Sequence, residues 1–228
     1  HMAGSFIGTN HIGHDSDVAI FSFQAVKNMP TADSGMICFR DSDCDQEARQ
    51  RSWLGIDKDT FSRTNSENKY KWEYTVDYVS NKYHGNSVVA SLAIVSLRYL
   101  EEDNCRRREI SALYETYLKD LPGIRSIQHC TGSPHYISSR HLFQVALGDL
   151  DRNCIMTELN RRNIFPGVHY RSNQYYKPYQ NCPQNCPRAD FLSEKLISLP
   201  LHMRLDDADV KRVAECLAEA VDQHQLKR

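Results

Sequence analysis

The sequence has no Cys-x-x-Cys pair, no long apolar run and almost no net charge, and each absence removes a class of protein. Its eight cysteines (Cys38, Cys44, Cys105, Cys130, Cys154, Cys182, Cys186 and Cys216) are scattered. They show neither the paired spacing of a structural zinc site nor the density of a secreted disulfide scaffold, so free thiols are the expected state and no metal is expected. The one close pair, Cys182 and Cys186, would sit in a surface loop, where a disulfide or a metal-binding module is the outside reading. His11 and His14 with Asp15 and Asp17 form another imaginable metal cluster, but they lie in a glycine-containing turn region and read as loop. No stretch of about 18 apolar residues is available to cross a bilayer, and the start does not read as a signal peptide. A cytoplasmic protein without a membrane partner is expected. A formal charge of −1 argues against a dedicated nucleic-acid binder, because affinity for a phosphate backbone comes from clustered positive charge. The run Arg106-Arg107-Arg108 accordingly reads as a solvated helix face.

What is present is a chain of 228 residues with 40% hydrophobic and 25% charged side chains, enough for one large or two modest domains. His1-Met2 reads as a remnant of tag removal and is set aside. The segment Phe21 to Met36 organises the rest. Val18 to Phe23 reads as a strand, Met36 to Phe39 as a second, and between them a polar turn ending at Gly35 carries Lys27. The turn thereby places one amine at the edge of what should be a buried sheet. A lysine attacks a carbonyl only in its neutral form, which partial burial favours. Ser22 lies five positions before it, and Asn28, Thr31 and Gly35 follow.

Those residues resemble the Schiff-base lysine motif of the DegT/DnrJ/StrS family of pyridoxal-phosphate-dependent sugar aminotransferases. The resemblance implies that Lys27 binds pyridoxal 5′-phosphate covalently and that Ser22 contacts its phosphate, with Asn28 beside them in the cofactor site. The turn departs from the family pattern, since Ala32-Asp33-Ser34-Gly35 stands where glycines are usual, and only glycine enters positive φ freely. Asn81 to Asn86 aligns with a family loop that reaches the cofactor phosphate of a neighbouring subunit. Lys82 would take that role by its charge, although without the resemblance it reads as a surface lysine. Gly167-Val168-His169-Tyr170-Arg171 and Ser198-Leu-Pro-Leu-His202 resemble signatures of the family's C-terminal domain, which puts His169 and Tyr170 on the substrate side. The alternative for His169 is a hydrogen-bonded strand histidine.

Between and beyond these motifs, Ser42 to Arg51 reads as a helix capped by Ser42 or Asp43. Ser52 to Asn86 lacks periodicity, but its aromatics (Trp53, Phe61, Tyr70, Trp72, Tyr74, Tyr78, Tyr83) argue for packing. Val88 to Leu100 reads as a buried helix. Glu101 to Leu121 reads as an amphipathic one with Ile110, Leu113, Tyr114, Tyr117, Leu118 and Leu121 on its buried face, ended by Pro122-Gly123. Strands are expected at 141–147 and 167–170. Helices are expected after Asp151, with Ile155 and Leu159 inward, at 189–197, and from Asp206 to Gln225 with Val210, Val213, Leu217 and Val221 inward.

The expected fold is therefore α/β, an aspartate-aminotransferase-like fold type I. Residues 1–105 would be the C-terminal part of its large cofactor-binding domain and 106–228 its small domain. The resemblance further implies a nucleotide-sugar substrate, an amino-acid donor (glutamate or glutamine), and a homodimer. The cofactor also needs a carboxylate at its pyridine nitrogen, a ring on its face and a helix N-terminus at its phosphate. In the family these precede the lysine by a long way, and here only 26 residues do. The chain thus resembles the C-terminal two-thirds of the fold, exposing a parallel-sheet edge unless a partner chain supplies the missing half. Such a fragment acting only as a non-catalytic partner is the alternative.

Overall fold

The computed structural model describes residues 1–57, 74–127, 135–181 and 186–226. They form two compact units, His1 with Thr9–Leu100 and Met2–Gly8 with Glu101–Arg228. The chain opens with two short strands, β1 (Phe6–Ile7) and β2 (Asn10–His11).

In the first unit β3 (Val18–Ser22) and β4 (Gly35–Phe39) pair in antiparallel register, from Val18 opposite Phe39 to Ser22 opposite Gly35. The expected edge of a buried parallel sheet is instead a two-stranded ribbon. Val18, Ile20, Met36 and Ile37 on it face solvent, Ile20 with 75% of its surface accessible. Helix α1 (Ser42–Ser52) follows. Its cap is Asp41 rather than Ser42 or Asp43, because Asp41 still has extended φ and ψ and accepts the Cys44 amide at 2.8 Å. In the described part of the aromatic segment, Trp53 and Tyr78 pack. Tyr78 lies under Arg51, 4.5 Å from guanidinium to ring centre, and donates to Gln50 Oε1. Tyr74 and Tyr83 are exposed. Phe61, Tyr70 and Trp72 lie outside the described residues.

Helix α2 (Ser87–Leu118) is one continuous rod of 32 residues rather than two helices. The Asn86 side chain accepts the Val89 amide at its start, and no glycine or proline interrupts it before Pro122. The expected burial of Val88 to Leu100 is not found: Val88 is 72% and Leu97 60% exposed, with Leu92, Ile94, Val95 and Tyr99 also facing out. Apolar content shows that a face needs cover, not that the same chain provides it. Among the described residues of this unit only Phe23, Met29 and Ile56 are buried apolar side chains.

The second unit holds the core. Strands β5 (Arg125–Ser126), β7 (Phe143–Ala146) and β8 (Leu196–Leu199) form an antiparallel sheet in the order β5-β7-β8, while β6 (Tyr136–Ile137) pairs with β1. Helices α3 (Arg152–Arg161), α4 (Pro187–Lys195) and α5 (Asp207–Leu226) complete it. Asp151 caps α3 through the Cys154 amide, and Asp206 caps α5 through the Asp209 amide, each at 2.7 Å. Ile155 and Leu159 of α3 and Val210, Val213, Leu217 and Val221 of α5 are buried, as their spacing requires. The helix expected at 189–197 ends two residues earlier. Leu196 turns extended and Ile197 enters β8, whose hydrogen bonds to β7 outweigh continued helix. The expected strand at 167–170 is a single bridge, Gly167 with Ser198.

On the packed half of α2, Ile110, Tyr114 and Leu118 are buried, whereas Tyr117 falls at the edge of the stripe and is exposed. Asn104, Arg107 and Ser111 share the buried face. The arginine run is therefore not a solvated face. Arg107 donates to the carbonyls of His141 and Leu201, Arg106 to Asp207 and Glu109, and Arg108 to Glu101. Burial lowers the Arg107 pKa, with Asp103 opposing.

Candidate active site

Lys27 stands on the loop between β3 and β4, and the loop is braced from inside. The Thr31 amide and hydroxyl both donate to the Phe23 carbonyl, at 2.8 and 3.1 Å. The Thr31 hydroxyl also meets Ser34 Oγ, and the Phe23 amide donates to the Ser34 carbonyl at 2.8 Å. A turn closes within this frame, Lys27 N–H to the Gln24 carbonyl at 2.9 Å. A tether comes from α2, where Ser96 Oγ donates to the Pro30 carbonyl at 2.7 Å. Nothing in the sequence marks Ser96 as an anchor.

These bonds leave Lys27 partly buried next to Asn28, which is buried, with Ser22 half-buried at the end of β3. The Lys27 charge reaches the chain's N-terminal amine, whose pKa is lowered by burial first and by Lys27 second. Gly35 admits no side chain, since a Cβ there would lie 2.7 Å from the Phe21 carbonyl oxygen. The substituted turn keeps a left-handed residue without glycine: Ala32 has φ of 71°, a conformation that costs an L-residue about 1 kcal/mol.

Of the other residues singled out, Lys82 is exposed and bridges to Trp53, with its amine 5.3 Å from the indole centre and His84 edge-on to the same ring at 4.0 Å. It belongs to the first unit with Ser22, Lys27 and Asn28. His169 and Tyr170 belong to the second unit. His169 Nδ1 lies 2.9 Å from Ser198 Oγ, its carbonyl accepts Gln144 Nε2 at 2.7 Å, and Tyr170 stands edge-on and exposed beside it. Gln144 carried no sequence signal beyond its place in a strand. His11 bonds its neighbour's carbonyl and His14 bonds Asp15. Among the described residues no group of three or more metal-ligating side chains occurs. Cys186 is exposed, and Cys182 lies outside the described residues.

The sequence matches the model of the DegT/DnrJ/EryC1/StrS aminotransferase family over residues 1–218. This chain belongs to that family. It is 31% identical over 229 residues to the dTDP-4-dehydro-2,3,6-trideoxy-D-glucose 4-aminotransferase of Saccharopolyspora spinosa, covering 100% of this chain and 58% of that protein. Among solved structures it resembles the aminotransferase TlmJ of Streptoalloteichus hindustanus, with a TM-score of 0.85, 28% identity, and coverage of 96% of this chain and 56% of that one. The PMP-form of Streptococcus pneumoniae Spr1654 gives a TM-score of 0.86, 27% identity, and coverage of 96% and 57%. The chain therefore spans little more than half the length of these relatives. Its fold class is the α/β fold type I of the family.

Proposed function

We propose that this chain is the lysine-bearing portion of a pyridoxal 5′-phosphate-dependent enzyme that transfers an amino group from glutamate or glutamine to a keto-sugar nucleotide, for an amino sugar of a polysaccharide or natural product. The observation that carries the reading is the braced loop holding Lys27 partly buried beside Ser22 and Asn28. The donor set fits the cofactor, offering a primary amine for its carbonyl carbon and a hydroxyl for its phosphate within one hairpin, on a turn whose Gly35 leaves no room for a side chain. When bound, pyridoxal phosphate supplies the electron sink that lets an amino group leave one carbon and be delivered to another.

In this reading Lys27 Nζ takes the proton from the donor's α-carbon and returns one in the second half-reaction. The brace from Thr31 and the tether from Ser96 hold that amine in one place, so proton transfer does not await loop ordering. Ser22 Oγ would donate to the phosphate, the buried Asn28 would steady the loop, and Lys82 would add positive charge for an anion. His169 and Tyr170 face the sugar substrate, with His169 oriented through Ser198. Residues 1–105 act as the cofactor-binding part and 106–228 as the small domain. The carboxylate for the pyridine nitrogen and the stacking ring would come from the polypeptide that the longer relatives have outside the matched span. The exposed apolar half of α2 and the exposed β3–β4 ribbon give that polypeptide, or a homodimer partner, a surface to cover. Cytoplasmic residence belongs to the same proposal; separately, no helix among the described residues is long and apolar enough to cross a membrane.

The test is borohydride trapping of the purified chain with pyridoxal phosphate, followed by peptide mapping. The reduced adduct is expected on Lys27 and absent from a Lys27→Ala variant. An adduct confined to the N-terminal amine of His1, or spread over exposed lysines, would overturn the reading for this chain.

A further inference from the structure

A cleft of about 730 Å³ opens in the second unit between the β1–β6 ribbon and α2. Phe6 and Ile137 give it apolar walls, and two ion pairs line it. Arg108 Nη2 donates to Glu101 at 2.6 Å, and Arg140 Nη2 donates to Glu115 at 3.0 Å. Each pair uses one arm of its guanidinium. The other terminal nitrogen, Nη1 of Arg108 and Nη1 of Arg140, is buried and has no hydrogen-bond partner among the described residues. A buried charged donor is costly to leave unfilled, and here two of them belong to residues that line one cleft.

Arg140 is also held against its own backbone preference. Its φ of 48° lies in the left-handed region, which an L-residue enters only at a cost. The segment around it is fastened down: Ser138 Oγ accepts the Arg140 amide at 3.1 Å, and the buried Ser5 Oγ accepts the Ser139 amide at 2.9 Å. Strain kept in place in this way marks a side chain whose position matters. Arg108 stands on a different element, α2, so the two unfilled arms approach the cleft from separate walls.

The charges select the occupant. Two arginines and two glutamates leave the cleft formally neutral, and both glutamates already stand beside the guanidiniums that remain half-used. A dianionic phosphate would meet that negative charge twice, whereas a carboxylate meets it once and offers two oxygens to planar guanidinium groups. The apolar walls call for a carbon body rather than a bare ion.

We propose that this cleft binds a small organic monocarboxylate, its acid group on Nη1 of Arg108 and Arg140 and its carbon body against Phe6 and Ile137. None of these residues enters the aminotransferase reading, so the two stand or fall separately. Calorimetric titration of the full chain with benzoate, acetate, inorganic phosphate and N-acetyl-aspartate methylamide tests it; the last carries the same acid group on a polypeptide backbone. Benzoate is expected to saturate and to bind about tenfold tighter than acetate, the increment a buried ring supplies, and tighter than the other two. Arg108→Lys and Arg140→Lys keep a charge for each glutamate but lose the fork, and each is expected to weaken benzoate about tenfold. Glu115→Gln is expected to tighten benzoate about threefold, because the amide oxygen still accepts from Arg140 while a repelling charge is gone. A gain of binding cannot come from a damaged fold.

Absence of saturable benzoate binding overturns the proposal. Wild-type affinity in both lysine variants places the acid elsewhere, and equal affinity for benzoate and acetate reduces the cleft to a general ion surface; each result overturns it too. So does tighter binding of the aspartate derivative than of benzoate, which gives the arms to other polypeptide. Circular dichroism checks that the variants fold. If a lysine variant does not, Glu115→Gln decides, and unchanged or weaker benzoate binding there sinks the idea.

Discussion

Replacing Thr31 by valine removes one hydroxyl from under Lys27 while keeping the side chain's shape, and its cost can be worked from the loop's bonds. The Thr31 hydroxyl donates to the Phe23 carbonyl at 3.1 Å and contacts Ser34 Oγ. The carbonyl keeps the Thr31 amide at 2.8 Å, so it is not orphaned, and the half-buried Ser34 turns to water. Each neutral bond contributes about 1 kcal/mol net. The added methyl on a side chain 1% exposed regains up to about 0.8 kcal/mol. The balance is about 1 kcal/mol of loop stability, or about a fivefold rise in its opening. Hydrogen exchange reads this directly at two amides inside the brace, Phe23 and Thr31, whose protection should fall about fivefold while that of Leu217 in α5 stays unchanged. Unchanged exchange at Phe23 and Thr31 would show that the hydroxyl does not hold the loop. An equal loss at Leu217 would show a global effect rather than a brace, and either result would refute the reasoning.

Two further expectations concern the second unit. Tyr114→Phe deletes the hydroxyl that donates to the Pro200 carbonyl at 2.9 Å while leaving the ring against Phe143; a loss of about 1–2 kcal/mol is expected in urea unfolding, and an unchanged midpoint at equal slope would show the bond to be neutral. The Asp151 carboxyl is held below its ordinary pKa of 3.8, chiefly by the Cys154 amide, so its stabilisation is present above that value and lost as pH falls through the lowered folded value. Asp151→Ala should therefore lower stability by about 1 kcal/mol at neutral pH, with the gap to wild type closing below pH 3.8; a gap that persists to lower pH would mean that the carboxylate is not what caps α3.

How far the sequence could be read depends on whether each residue's fate was decided locally. The stripe Val210, Val213, Leu217, Val221 and the cap at Asp151 are local facts, set by helical period and by one side chain reaching one amide. The hairpin around Lys27 is local too, since two apolar runs flank a polar turn, and with it the neighbourhood of Ser22 and Asn28 was legible. What escaped was decided at a distance. Arg107 is buried because the carbonyls of His141 and Leu201, more than thirty residues away in sequence, accept its donors, and polarity alone reads as solvent exposure. Leu196 and Ile197 leave a helical pattern because β7 offers a ladder. Gly167 finds one strand partner and no more. The tether from Ser96 to Pro30 joins two segments that no spacing rule connects. Cover over Val88 to Leu100 could not be read at all, because apolar composition specifies the need and not the source.

That uncovered half of α2 also bears on how the chain would fare in a cell. Val88, Leu92, Ile94, Val95 and Leu97 form a stretch of the kind chaperones hold and quality-control proteases recognise, displayed here on a folded molecule rather than an unfolded one. Its helical form leans on the packed turns after Glu101, because valine and isoleucine are modest helix formers and a helix propagates more easily than it nucleates. Turnover is therefore expected to slow when other polypeptide covers α2, since the bare apolar face is the part that resembles an unfinished fold.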